Sequence, residues 1–431
     1  MYGERRMRKK RRNWLYYPAE LVSLVILGLW VGIGVCAEVS KITVQDLRRQ
    51  LQDGKSKDAL RIYDQLYPSR EGKQDPKSLN LICRGLLKEA VKSENPYDRI
   101  YAAGALVEQG DFSFLAFLEK SRLSKNPMER VSAYQELVEV SRQLGRQSAI
   151  VPLFEQALSD QDKVVLVQML EMLEQMDDKD PSLLPLLENL LGNQDVQVRN
   201  KVVEVLGEMA PSSAITSLEK SLKDGNHYVR LAAMSSLVLK GKTAYLQELV
   251  QDATENKDAG IRDRAVGLLG RVDHKSVPPL LRKKFKEEKD FSTKITIAAS
   301  LGELGDKTGV NFLEESLQNP SFLVRLGTVK ALGRAHQPFF LPLLEHAFQD
   351  EDPAIRTFAL LFIGEARDDS LLPLIDQALE DKDPAVRMSS AQILGELGGP
   401  AQFSSLREAL HDEDPGVVIF ASRAIGRILI R

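Results

Sequence analysis

Five histidines, His227, His274, His336, His346 and His411, are the side chains in this chain best suited to metal or general-base chemistry, and their spacing denies it. No two lie three or four residues apart, the interval that sets two ligands on one face of a helix. Gly241-Lys242-Thr243 has the end of a phosphate loop, but the glycine needed five positions earlier is Ser236, so a turn is expected there instead. Cys83 sits in LNLICRGLL, an apolar helical stretch where a buried structural thiol fits better than a nucleophile. The sequence has no nucleophile elbow and no histidine patterned beside a cysteine. The expectation is a chain that is not an enzyme, with no catalytic residue, no metal and no cofactor.

Charge points the same way. The 431 residues carry a net −3, but residues 1–37 hold seven basic side chains (Arg5, Arg6, Arg8, Lys9, Lys10, Arg11, Arg12) against Glu4 and Glu20, which leaves −8 on the rest. So acidic a body excludes nucleic acid as partner, because phosphates need dense Lys and Arg. Two cysteines exclude a disulfide framework. The basic run is followed by uncharged LVSLVILGLWVGIGVCA over 21–37, the order of an export signal. Val35-Cys36-Ala37 offers a cleavage site, while the length is at the short limit of a membrane span. The expected location is therefore outside the cytoplasm: periplasmic after cleavage, or attached to the inner membrane through 21–37.

The elements that would position any site announce themselves by repetition. Stepping back from Arg387, a basic residue recurs at Arg356, Arg325, Lys294, Arg262, Arg230 and Arg199, at intervals of 31 or 32, and again at Arg130 and Arg99. Leu166 and Val418 keep the frame without the charge. Four residues before each stands a cap former: Asn95, Asn126, Asp162, Asp195, Asn226, Asp258, Asp290, Ser321, Asp352, Asp383 or Asp414. Pro96, Pro127, Pro353, Pro384 and Pro415 follow five of these, at the first helical position where the missing N–H costs nothing. Beyond the cap, apolar residues at steps of three and four (Ile355, Phe358, Ala359, Phe362, Ile363) make one buried stripe. A late glycine recurs at Gly207, Gly270, Gly302, Gly333, Gly364, Gly395 and Gly426, implying close approach of neighbouring helices. A shorter second helix, such as Leu371–Leu379, completes each unit. Neither helix buries its apolar face alone, so the units must stack.

Units such as DKDPAVRMSSAQILGELG (381–398) and DEDPAIRTFALLFIGEA (350–366) resemble short HEAT repeats of the phycobilisome-lyase type, over about three quarters of the chain. The resemblance implies an all-α fold, a right-handed α-α superhelix of the HEAT or armadillo kind, with about eleven two-helix repeats over 95–431. It further implies that Asp195/Arg199, Asp258/Arg262, Asp352/Arg356 and Asp383/Arg387 form a structural ladder between units, broken at Leu166 and Val418. Hydroxylases of this architecture carry His-Glu dipeptides as iron ligands, and no histidine here precedes a glutamate. Residues 38–94 fall outside the period and read as a helical N-terminal cap, weakly tetratricopeptide-like.

Two surface features stand out. RKKFKEEK (282–289) is a mixed charged run, read as a solvated face ahead of recognition of an acidic partner. In the last helix Val418, Ile419, Leu429 and Ile430 are apolar where other units are polar, although a terminal repeat ordinarily shows water a polar face. Docking of that end against a second copy, a partner or a membrane, or folding back onto the preceding unit, are both open. The functional expectation is an exported, non-catalytic bacterial scaffold binding a protein or peptide on a superhelical surface. Its rivals are a lyase-like accessory or chaperone for a cofactor-bearing protein, and a structural component of envelope assembly.

Overall fold

The computed structural model describes residues 42–68, 75–176, 179–209, 211–335 and 337–430. Residues 1–37, expected to be signal or anchor, lie outside these, as does His336; among the described residues no helix is long and apolar enough to cross a membrane. Helices α1 (Val44–Gln52), α2 (Ser56–Leu66) and α3 (Pro76–Ala90) precede the repeats. Even numbers then mark the basic-position helix of each repeat: α4 (Pro96–Glu108), α6 (Pro127–Gln143), α8 (Lys163–Glu174), α10 (Val196–Glu208), α12 (His227–Leu239) and α14 (Ala259–Gly270). The series continues with α16 (Phe291–Glu303), α18 (Phe322–Ala335), α20 (Pro353–Glu365), α22 (Pro384–Leu397) and α24 (Pro415–Ile430). Odd numbers mark the shorter partners: α5 (Leu115–Ser121), α7 (Ile150–Ala157), α9 (Leu184–Leu190), α11 (Pro211–Ser221) and α13 (Leu246–Glu255). The rest are α15 (Val277–Glu287), α17 (Val310–Leu317), α19 (Leu341–Ala347), α21 (Leu372–Gln377) and α23 (Phe403–Glu408).

The cap formers act as their chemistry dictates. Asn95, Asn126, Asp162, Asp195, Asn226, Asp258, Asp290, Asp352, Asp383 and Asp414 each accept from an otherwise unpaired amide in the first turn of their helix. Where the chain turns from even to odd helix, Gly110, Gly241 and Gly305 take a positive φ, and Gly241 confirms Gly241-Lys242-Thr243 as a turn. Arg367 holds the same place in its repeat at φ 50, a conformation strained for any residue with a Cβ.

The ladder exists, but its acids are not the expected ones. Asp195, Asp258, Asp352 and Asp383 cap their own helices. Six arginines instead reach the acid two residues before the next cap: Arg130 to Asp160, Arg199 to Asp224, Arg262 to Glu288, Arg325 to Asp350, Arg356 to Asp381 and Arg387 to Asp412. Arg99 and Arg230, with Ser124 and Asn256 at that place, bond backbone carbonyls. The reason is reach, since the capping carboxylate is turned into its own first turn while the arginine points along the stack. Arg356 shows the full pattern: Nε and Nη2 donate to Asp381 at 2.7 and 2.6 Å, and Nη1 donates to the carbonyls of Asp350 and Glu351 at 2.9 and 3.0 Å. One guanidinium thereby fixes two successive loops. At Leu166 the rung is missing, and Lys163 bonds Asp195 at 3.0 Å in its place.

The recurring glycines sit where helices nearly touch. A Cβ on Gly395 would stand 3.0 Å from Ala424 Cα in the next even helix. On Gly426 it would collide with Gln109, which follows α4 at the opposite end of the sequence. The stack therefore has no free ends. Each even helix packs on the next from α4 to α24, and α24 packs in turn on α4, so eleven helices close into a ring. Helix α3 lies against α24 and α4 just as α5 lies against α4 and α6. Leu87 of α3, Ala102, Ala105 and Leu106 of α4, and Ile419 of α24 form a buried cluster at this seam. Burial of Leu87, Leu106 and Ile419 stabilises the closure by about 2 kcal/mol each. Leu47, Leu60, Tyr63, Leu79 and Ile82 join the core of the C-terminal repeats. Helices α1–α3 thus pack on the last repeat as well as on the first.

Candidate functional site

Side chains two repeats apart touch only where repeats converge, so Arg264 on Glu204 and Arg271 on Glu208, each passing over α12, place the even helices on the inside of the ring. The inner face is lined chiefly by residues two, five, six and nine positions after each basic-frame residue. Most of its charges cancel one another: Lys201 pairs with Glu174 and Glu204, and Arg142 with Glu139.

The densest group lies at the seam. Arg423 and Arg427 of α24 both grip Glu108 of α4, through Nε at 3.0 Å in each case and through their Nη2 atoms. Arg423 Nη1 donates to Glu136 of α6 at 2.9 Å, and Arg427 Nη2 to Glu139 at 2.7 Å. Gln109 Nε2 adds a bond to the Ser422 carbonyl at 3.3 Å. Burial alone would raise the Glu108 carboxyl, but two guanidiniums outweigh it and pull the group down to about 2. Glu136 meets one guanidinium nitrogen and leaves Oε2 without a partner, so burial prevails and pushes it up to about 7. On the outer side of the same seam Arg407 pairs with Asp64 and donates to the Tyr67 carbonyl at 2.7 Å, while His411 Nε2 lies 2.6 Å from Asp64. These groups clasp the ring shut. A cavity of about 420 Å³ beside them is lined by Tyr101, Gln168, Glu171, Gln392 and Phe420.

A second cavity, about 540 Å³, opens between α16, α18 and α20. Phe291, Leu323, Phe358 and Phe362 give it apolar walls, and Gly327 leaves room at a position where other repeats carry Tyr101, Arg264 or Phe358. Lys330 and Arg334 line it with no carboxylate within 4 Å among the described residues; Lys330 Nζ lies 4.5 Å above the Phe358 ring, and Glu303 acts on Arg334 only at longer range. Leu323 is 75% exposed, and Phe291 and Phe322 are partly open.

Of the residues singled out in the last helix, Ile419 is 1% exposed, buried by α3 and α4 of the same chain. Val418 and Leu429 are half-buried against the C-terminal core, and Ile430 remains exposed. The expectation that this apolar excess awaits an outside partner is corrected for Ile419: its cover is the chain's own N-terminal helices, which a linear reading of the repeats places far away. Cys83 is fully buried, and burial pushes its thiol up to about 12, which keeps it protonated. In the charged run, Arg282 pairs with Asp306 and Lys284 with Glu288, on an outer helix. His227 bonds Asp252 and His274 bonds Ser276. Sequence reasoning missed Glu108, Glu136, Arg423 and Arg427; the available signal was two arginines four apart on a mostly apolar terminal helix.

A family model described as HEAT repeats matches residues 150–238, 246–333, 280–359 and 340–426. Among solved structures, human deoxyhypusine hydroxylase in complex with glycerol is 18% identical, covering 62% of this chain and 99% of its own, at a TM-score of 0.26. The complex of CpcE and CpcF of phycocyanin lyase from Nostoc sp. PCC7120 is 16% identical over 58% of this chain and 95% of that chain, at 0.32. The karyopherin Kap121p bound to the extreme C-terminus of the protein phosphatase Cdc14p is 17% identical over 90% of this chain and 50% of that one, at 0.35. No curated protein matches the chain.

Proposed function

The chain belongs to the HEAT-repeat family, and we propose from that premise that it is a non-catalytic scaffold, acting outside the cytoplasm, which holds a protein partner on the inner face of its ring. The observation that carries this reading is the closure itself. A stack of repeats joined end to end by the Arg423–Glu108 clasp presents a preformed wall, so a partner meets a surface whose ordering is already complete. The strongly shifted carboxyls Glu108 and Glu136 are both engaged in the clasp, which favours a structural over a catalytic use for them. For location, the support is the seven basic residues followed by the uncharged stretch 21–37.

Two measurements test the reading. A photo-reactive residue at Gln392 on the inner face is expected to give a discrete cross-linked protein in cells, whereas one at Lys220 on the outer helix α11 is not. No adduct at Gln392, or equal labelling from both sites, refutes the inner-face scaffold. Alkaline phosphatase fused after residue 41 is active only if exported, and an inactive fusion rules out the location.

A further inference from the structure

The α18 slot has the same frame as the clasp but no acid paired to its cations among the described residues. Lys330 and Arg334 stand five and nine residues after Arg325, as Arg423 and Arg427 stand five and nine after Val418. At the clasp, carboxylates from two other helices satisfy the pair and bury it. At the slot no carboxylate of the described residues lies within 4 Å of either cation, the acid in the lining, Asp263, accepts from Thr296 Oγ1, and both cations are exposed beside a mostly apolar cavity. We propose that this slot binds an extended acidic segment of a protein partner, with one large apolar side chain seated over Gly327 and its flanking carboxylates on Lys330 and Arg334. The inference rests on the scaffold reading in taking the partner to be a protein, and it names that partner's chemistry.

Three features specify this occupant. The wall from Leu323 to Arg334 is ~16 Å long at the rise of a helix, enough for about five extended residues. Phe358, Phe362 and the exposed Leu323 surround the space left by Gly327, and a buried aromatic or aliphatic anchor is what such a pocket holds best. Residues 1–41 of this chain, with eight basic side chains against three acidic ones, carry the wrong charge to compete for the two cations.

The test is a fluorescence-polarisation titration of the full-length chain with a labelled seven-residue peptide bearing one phenylalanine among glutamates. Saturable binding is expected, at least tenfold tighter than for the peptide with lysines in place of the glutamates or alanine in place of the phenylalanine. Gly327→Leu fills the slot, and since a Cβ there meets nothing within 4 Å the helix accepts it without rearrangement. That variant, and Lys330→Glu at an exposed position, should each weaken binding at least tenfold without lowering the thermal melt. No saturation below 1 mM, equal affinity for the lysine peptide, unchanged binding by both variants, or tighter binding of free laurate each overturns the proposal. A discrete cross-link from Gln392 alongside any of those results would leave the scaffold standing and remove the slot.

Discussion

Helices α18 and α24 place two cations at the same two frame positions, and the molecule spends them differently. On α24, Arg423 and Arg427 are drawn inward by Glu108, Glu136 and Glu139 and hold the first and last repeats together. On α18, Lys330 and Arg334 stay in solvent beside Phe358 and Phe362. The difference lies in what the neighbouring repeats bring within bonding distance of the cations: acids at the seam, an aromatic ring at the slot, where Asp263 and Glu303 stay farther off. A repeat frame therefore fixes where a side chain points without fixing what it does, and the role is decided one repeat away.

The largest expected effect comes from breaking the clasp. Arg423→Ala removes the hydrogen-bond donor that Glu136 has among the described residues and half of the grip on Glu108, leaving carboxylates buried and undercompensated. A loss of about 3–5 kcal/mol in urea denaturation is expected. If the seam parts before the repeats unfold, small-angle scattering will show a larger radius of gyration than wild type in mild denaturant. A loss below 1 kcal/mol would mean that the apolar cluster around Ile419 alone closes the ring.

The ladder provides an intermediate standard. Asp381→Ala strips Arg356 of both side-chain bonds and frees the amide of Asp383, yet Arg356 keeps its two carbonyl partners. About 1–3 kcal/mol is expected, from the same denaturation experiment. Asp383→Ala should cost nearer 1 kcal/mol, because its carboxylate only caps α22. Equal losses would restore the capping aspartate to the ladder.

The two seam carboxyls must respond oppositely to pH. Glu136, raised to about 7 from an ordinary 4.5, holds a proton in the folded state that the unfolded chain has released. Its contribution is full below about 4.5 and is lost as pH rises through about 7. Glu108, lowered to about 2, contributes above about 4.5 and loses that contribution as pH falls toward 2. Glu303, also raised to about 7 by burial, adds to the first trend. Glu136→Gln, which keeps the acceptor for Arg423 without the charge, should therefore stabilise at pH 8 by on the order of 1 kcal/mol and change little at pH 5. A gain independent of pH would place the burial cost elsewhere.

Much of the fold was legible because it is local. A cap former four residues before each basic position, proline after five of them, and a glycine near the end of the helix are short-range patterns, and the structure realises the caps and the close approach at Gly395. The closure was not legible, because the bond between Arg423 and Glu108 joins residues 315 apart and no periodic signal tells an open stack from a closed one. The ladder acids were missed for a subtler reason. Both aspartates of Asp381-Lys382-Asp383 suit either role, and only the direction of the Arg356 side chain assigns the first to the rung and the second to the cap. The slot escaped because Gly327 and Lys330 are unremarkable singly and combine only across three helices.

The smallest effect sharpens the contrast most. If Lys330 were a structural cation like its counterpart Arg423, its removal would strand a buried partner and destabilise the ring. The geometry gives it no such partner: the ammonium is exposed and its recorded contact is the Phe358 face at 4.5 Å, worth about 0.5 kcal/mol at an open site. Lys330→Ala should therefore shift stability by no more than about 0.5 kcal/mol. Arg423→Ala, at the same place in its own repeat, should cost several times that. Near-equal losses in a side-by-side melt would show that the α18 cation is held by the fold and not left for a ligand. A null effect on stability together with weaker binding of the acidic peptide would separate the two uses of one frame position.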